Sequence, residues 1–280
     1  MKLVECSRDA MQGLSHFVPT DLKIRYLNAL LQVGFDTLDF GSFVSPKAVP
    51  QLRDTAQVLA GLDVSQTQTK LLAIVGNRRG AEEALTFEQI QYVGFPLSVS
   101  ETFQQRNTNK TIAQAFDEVE FIQQHCLQAS RELVVYVSMG FGNPYGDPYS
   151  PELVAEFSNR LVQLGVRIIA PSDTVGSSTP EAIESLFRHL IDQFPQIEFG
   201  AHLHSRPGQT ASKVRAALRA GVCRIDGALR GFGGCPMAAD ELTGNLPTEE
   251  IIQALAQEGL DVPFYPEALQ KAMTLSAEVF

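Results

Sequence analysis

Short runs of apolar and β-branched residues recur along this chain, each followed by a longer segment whose apolar positions repeat at helical spacing. Eight such runs predict strands: Leu3 to Cys6, Thr37 to Phe43, Lys70 to Val75, Tyr92 to Ser100, Leu133 to Met139, Arg167 to Ser172, Glu198 to His204, and Arg224 to Leu229. The stretches predicted as helices are Thr20 to Val33, Lys47 to Ala60, Arg79 to Phe87, Thr111 to Ala129, Ser150 to Leu164, Thr179 to Gln193 and Gln209 to Ala220. In the first of these, Leu22, Tyr26, Leu27, Leu30 and Leu31 share one face behind Thr20, whose hydroxyl suits an N-cap. Eight alternations at roughly 30-residue spacing fit one (β/α)8 TIM barrel better than an open doubly wound sheet. With no linker in view, residues 1–280 read as a single α/β barrel domain.

The chain continues beyond what eight repeats need. A glycine-rich stretch over 231–247, GFGGCPMAADELTGNLPTEE in its wider setting, precedes helices expected at Thr248 to Glu258 and Pro266 to Val279. Its place directly after the eighth strand makes it a candidate mobile lid over a site at the barrel mouth.

Composition narrows the partners. Acidic residues outnumber basic ones 32 to 22, a net charge of -10, and the basic residues are scattered, which argues against nucleic acid. No apolar run approaches the roughly 18 residues of a membrane span, and MKLVECSRDAMQG lacks the long apolar core of a signal peptide. A cytoplasmic protein without a membrane partner is the expectation. Cys6, Cys126, Cys223 and Cys235 form no CxxC pair, so neither a zinc knuckle nor a disulfide framework is indicated.

The chemistry gathers at the predicted strand ends, where a barrel builds its site. In AHLHSRPGQ, His202 and His204 lie two apart on one strand and can aim both imidazoles at a single point. Asp9 follows strand one and Asn245 lies near the end of the lid; with the two histidines they make a mixed nitrogen and oxygen set that suits Mg²⁺ or Mn²⁺ better than structural zinc. Arg8 could stabilise charge developing on an enolate oxygen, and could pair with Asp39 in the empty site. Arg8, Gln12, Ser42, Ser172 and Asp173 are the candidates for substrate contact at this rim. Cys235, between glycines and a proline, is a candidate general acid or base. GFGG is no dinucleotide fingerprint, because it follows the last strand with no helix at the required offset, and there is no GxSxG elbow.

SRDAMQG, DFGSFVSPKAVPQ, SETFQQRNTN, PSDTVG, AHLHSRPGQ and the GGCP and TGNLPTE segments together resemble the 3-hydroxy-3-methylglutaryl-CoA lyase family in order and spacing over nearly the whole chain. The resemblance implies cleavage of 3-hydroxy-3-methylglutaryl-CoA to acetoacetate and acetyl-CoA on a TIM barrel with bound Mg²⁺ or Mn²⁺. It further implies that Asp9, His202, His204 and Asn245 hold the metal. Arg8 would steady the thioester enolate, Cys235 would help protonate the carbanion, and His202 or Asp9 would accept the hydroxyl proton. An acyl-CoA substrate and a homodimer follow from the same likeness.

Three departures from the family pattern touch the site. Asp39 stands where a glutamate is usual, one methylene shorter, a length at which contact with Arg8 could be lost or bridged by water. Ser205 and Arg206 replace the start of an Asp-Thr-Tyr-Gly run, removing a carboxylate and adding a cation near the metal. Asp240 and Glu241 make the lid more acidic. Open alternatives are a lyase or aldolase for another branched 3-hydroxy acyl-CoA, and a metal- or ligand-binding relative without turnover.

Overall fold

The computed structural model describes residues 1–234 and 243–280. Eight parallel strands, β1 (Lys2–Glu5), β2 (Thr37–Ser42), β3 (Lys70–Ile74), β4 (Ile90–Ser98), β5 (Glu132–Ser138), β6 (Ile168–Asp173), β7 (Glu198–Ser205) and β8 (Arg224–Gly227), pair in sequence order. The ring closes where β8 returns to β1, with Lys2 opposite Arg224 and Glu5 opposite Gly227. The result is the expected TIM barrel, and each predicted run meets its strand to within two residues at either end. A further short strand, β9 (Gly244–Asn245), adds antiparallel to β7 and sets Asn245 opposite His204.

The helices are α1 (Ser7–Gln12), α2 (Thr20–Leu31), α3 (Thr55–Ala60), α4 (Arg78–Leu85), α5 (Glu101–Thr108), α6 (Ile112–Gln128), α7 (Pro151–Gln163), α8 (Pro180–Gln193), α9 (Thr210–Arg219), α10 (Thr248–Gln257) and α11 (Pro266–Val279). Ser150 and Thr179 cap α7 and α8 by accepting from Leu153 and Ala182 N–H groups, each with proline at the first helical position. Thr111 and Gln114 form a reciprocal capping box on α6.

Three expectations need correction. The helix predicted over Lys47 to Ala60 is a 3-10 turn at Pro50–Leu52 followed by the short α3, because Pro50 lacks the N–H that a continuous helix would use. Thr20 does not cap α2: Pro19 occupies that position, and the Thr20 hydroxyl donates to Asp54 Oδ2 at 2.7 Å. Helices α1 and α5 were not expected; α1 is only six residues long and carries no apolar repeat.

The main apolar core lies between the strands and the helices, whereas Leu72, Ile74, Tyr92, Val134, Tyr136, Ile168 and Ala170 form a second cluster on alternate strand positions. Gly94 makes room beside this cluster: a Cβ there would come within 2.4 Å of Ile74 Cδ1 and 3.2 Å of Tyr136 Cε2.

Glu5, fully buried at the end of β1, accepts from the Leu229 N–H at 2.9 Å and the Thr248 hydroxyl at 2.6 Å, tying β1 to the chain on either side of the glycine-rich stretch. Burial outweighs these bonds and pushes its carboxyl from an ordinary 4.5 up to about 8. The folded state therefore holds a proton that the unfolded chain releases, and the associated stability falls as pH rises from about 4.5 to about 8. Glu5→Gln is expected to raise the Tm relative to the parent at pH 8, with the gap closing toward pH 4.5. Calorimetry across that range checks it, and an equal gap at both ends would refute the assignment.

Candidate active site

The shortness of the link between β1 and α1 builds the first part of the site. Only Cys6 separates the strand from the helix, so Arg8 and Asp9 emerge in the first helical turn at the carboxyl end of the barrel, and Gln12 follows Arg8 one turn later on the same face. Arg8 reaches β2, where Nε and Nη2 donate to Asp39 Oδ2 at 3.0 and 2.6 Å. Its Nη1 donates to Asp9 Oδ1 at 3.1 Å and to Gln12 Oε1 at 2.9 Å. The shorter side chain at position 39 thus neither loses nor water-bridges its contact with Arg8; the two groups meet directly.

Strand β7 supplies the histidines and its neighbours orient them. His202 Nδ1 lies 3.0 Å from Asp226 Oδ2 on β8, and His204 Nδ1 lies 3.1 Å from the Thr174 carbonyl just beyond β6. Both contacts leave the Nε2 edges for other partners. Asn245, brought alongside by β9, donates through Nδ2 to Asp9 Oδ2 at 2.8 Å and to the Phe232 carbonyl at 2.9 Å. Gly233 takes a positive φ of +87° where the chain passes α1, and a Cβ there would fall 2.7 Å from Ala10 Cα, so only glycine fits.

Asp9, His202 and His204 each offer a ligand atom, and these atoms lie within 4.8 Å of one another. The buried His204 Nε2 has no hydrogen-bond partner among the described residues, as expected of an imidazole nitrogen placed for a cation. One carboxylate and two imidazoles suit a divalent ion that keeps open positions, and the Asn245 amide adjoins the set through its nitrogen, which donates to Asp9. The donor set fits such an ion.

The charges are arranged to match. Burial works to raise the Asp9 carboxyl, but Arg8, the two histidines and the Asn245 hydrogen bond hold it below the usual carboxylate range. Burial pushes Asp39 up to about 6 against the pull of Arg8, which leaves it ionised at neutral pH. Burial and the neighbouring His202 lower His204, keeping it neutral and able to ligate. For His202, burial opposes protonation, yet the bond to Asp226 raises its pKa overall.

Arg8, Asp9, Gln12, Asp39, His202, His204 and Asn245 are therefore brought together. The other sequence candidates are placed differently. Ser42 Oγ accepts from the Val44 N–H at 3.2 Å, and Ser172, opposite His202 in register, donates to the Ala170 carbonyl at 2.9 Å. Asp173 is buried in an ion pair with Lys213 Nζ at 2.8 Å. Cys235, Asp240 and Glu241 lie outside the described residues. Ser205 is buried, whereas Arg206 is exposed beside a cavity of about 310 Å³ that it lines with Ser177, Gln209 and Ser212. Sequence reasoning missed Asp226 and Cys6. The signal for Asp226 was a carboxylate within RIDG, two residues from Arg224 and so on the same strand face.

A family model described as HMGL-like matches residues 2–276. The chain belongs to the HMGL-like family. It is 32% identical over 262 residues to the cytoplasmic 3-hydroxy-3-methylglutaryl-CoA lyase of Rattus norvegicus, covering 93% of this chain and 76% of that protein. It is likewise 32% identical to a hydroxymethylglutaryl-CoA lyase of Bacillus subtilis, covering 89% and 83%. Among solved structures, the HMG-CoA lyase of Brucella melitensis superimposes with a TM-score of 0.92 at 29% identity, over 99% of this chain and 98% of that one. An Acinetobacter baumannii HMG-CoA lyase in complex with coenzyme A and 3-methylmalate gives 0.90 at 30% identity, over 99% and 90%. This HMGL-like chain is thus a carbon–carbon lyase of the oxo-acid class. None of its described helices is long and apolar enough to cross a membrane.

Proposed function

We propose that the protein cleaves 3-hydroxy-3-methylglutaryl-CoA to acetoacetate and acetyl-CoA. The observation that carries this reading is the joining of the Arg8–Asp39 pair to the Asp9, His202 and His204 group at one barrel mouth, in a chain about one-third identical to such lyases. A divalent ion, Mg²⁺ or Mn²⁺, held by Asp9, His202 and His204 with the Asn245 amide oxygen would act as a Lewis acid and lower the pKa of the substrate's tertiary hydroxyl.

The chain's own groups divide the remaining work. Asp9, whose carboxylate has a second oxygen beyond the one that would hold the ion, accepts the hydroxyl proton, while Asp226 behind Nδ1 keeps the His202 imidazole oriented. As that oxygen becomes the ketone of acetoacetate, the C2–C3 bond breaks and its electron pair moves onto the thioester. Arg8 meets the charge on the thioester oxygen, held in position by Asp39. Gln12, Ser42 and Ser172 belong to the substrate-binding rim in this reading, whereas Asp173 is taken up by its buried ion pair with Lys213. Cys235 donates the proton that converts the enolate to acetyl-CoA. An acyl-CoA partner, a homodimer and a cytoplasmic location complete the proposal; CoA is the ligand of the Acinetobacter baumannii structure.

The test is direct. Purified protein supplied with Mn²⁺ or Mg²⁺ and the CoA ester should release acetoacetate and acetyl-CoA in equal amounts. A chelator should stop the reaction, and added metal should restore it. No acetoacetate under these conditions, with turnover of a different branched 3-hydroxy acyl-CoA, would replace this substrate with the other.

A further inference from the structure

The Nδ1 edge of His202 faces a second group of ligating side chains. Cys6, His202 and Asp226 each offer a ligand atom, and these atoms lie within 4.8 Å of one another. All three residues are buried, with relative exposures of 1%, 9% and 2%, and Cys6 is a free thiol. Asp226 Oδ2 is used by His202, but its Oδ1 is buried with no partner among the described residues. The phenol oxygen of Tyr136 is equally unpartnered, and its ring packs edge-on against His202 with centroids 5.4 Å apart. Buried acceptors left without donors are uncommon and ask for an explanation.

We propose that Cys6, His202 and Asp226 form a second metal seat, suited to borderline-soft divalent ions of the zinc class. His202 is shared with the Asp9 and His204 group: one ring nitrogen serves each side. The donor chemistry separates the two seats, because a thiolate favours zinc-class ions whereas the carboxylate, imidazole and amide set favours harder ones. The spacing is close to what is needed. Tetrahedral zinc with nitrogen and oxygen bonds of about 2.0 Å sets those ligands about 3.3 Å apart, and His202 Nδ1 and Asp226 Oδ2 already stand 3.0 Å apart. The Cys6 Sγ, within 4.8 Å of both atoms, supplies the third ligand.

Entry of the ion displaces two protons, one shared between Nδ1 and Asp226 and one from the Cys6 thiol, both of which leave to solvent. No electrons are transferred. Two divalent cations on opposite nitrogens of one buried imidazole repel each other, so filling this seat weakens the hold of the Asp9 group on Mg²⁺ or Mn²⁺. The seat is then inhibitory toward the hard-metal site.

Co²⁺ is a suitable spectroscopic stand-in for zinc, since thiolate ligation produces a charge-transfer band in the near ultraviolet. The parent protein and a Cys235→Ser variant should both show the band, and Cys6→Ser should lack it. Zinc affinity in Cys6→Ser should fall by about 100-fold or more. Cys6→Ala, checked for native circular dichroism, guards against a folding defect in the serine variant. A parent protein without the band, a band retained in Cys6→Ser and Cys6→Ala, or a band lost in Cys235→Ser would each overturn the proposal. None of these readouts requires turnover of a CoA ester, so failure of the lyase reading would be seen separately.

Discussion

Asp9→Asn is expected to weaken Mn²⁺ binding at least about 100-fold and to lower kcat/KM by about 10³-fold, the loss of several kcal/mol of charge stabilisation. Asp9 is the one carboxylate in the group with His202 and His204. Burial alone would favour its neutral form, but Arg8 and the histidines hold it ionised. An asparagine keeps the shape and the bond to Asn245 while removing the charge that draws a divalent ion between the two imidazoles. Arg8 retains Asp39 and Gln12 as partners, so the fold should tolerate the change. Electron paramagnetic resonance of free Mn²⁺ separates the two effects from a loss of protein. Parent-like metal affinity in the variant would remove Asp9 from the ligand set and with it the centre of the proposed mechanism.

The barrel was legible because its evidence is repetitive. Eight β-rich runs and the apolar helix faces between them gave the same answer at many positions, so the loss of one helix around Pro50 did not affect the reading. The site was legible where a spacing carried geometry. His202 and His204, two apart on β7, share one face, and the short link after β1 places Arg8 and Asp9 at the same mouth. The rest depended on contacts that sequence distance hides. Asp226 is 24 residues from His202 but belongs to the adjoining strand, and Thr174 acts through a carbonyl, which no residue type reveals. Asp173 looked like a rim carboxylate, but Lys213, buried on α9, engages it from 40 residues away. The reach of Asp39 was misjudged for a similar reason. Side-chain length was counted, whereas the distance was set by α1 starting almost at once after β1 and carrying Arg8 to its partner.

Arg8→Lys should lower kcat/KM by about 10³-fold with most of the loss in kcat, because the interaction is strongest where charge develops on the thioester oxygen. The charge is conserved and the geometry is not. The guanidinium uses Nε and Nη2 on Asp39 while Nη1 spans Asp9 and Gln12, five directed bonds around a planar group. A lysine ammonium has three donors on a flexible stem and cannot hold two carboxylates and an amide in that plane. It would settle on Asp39 or Asp9, leaving the other buried carboxylate short of a partner. Removing one member of a buried pair costs about 3–5 kcal/mol, so the Tm should fall as well. Asp39→Glu provides the internal control. With Arg8 in place the longer carboxylate can still accept from the guanidinium, and that variant should lose far less rate than Arg8→Lys. The double variant should be no faster than Arg8→Lys alone, since no carboxylate at position 39 restores the planar donor. Full rescue by Asp39→Glu would show that simple charge pairing is all Arg8 provides, and its role at the thioester would have to pass to another residue.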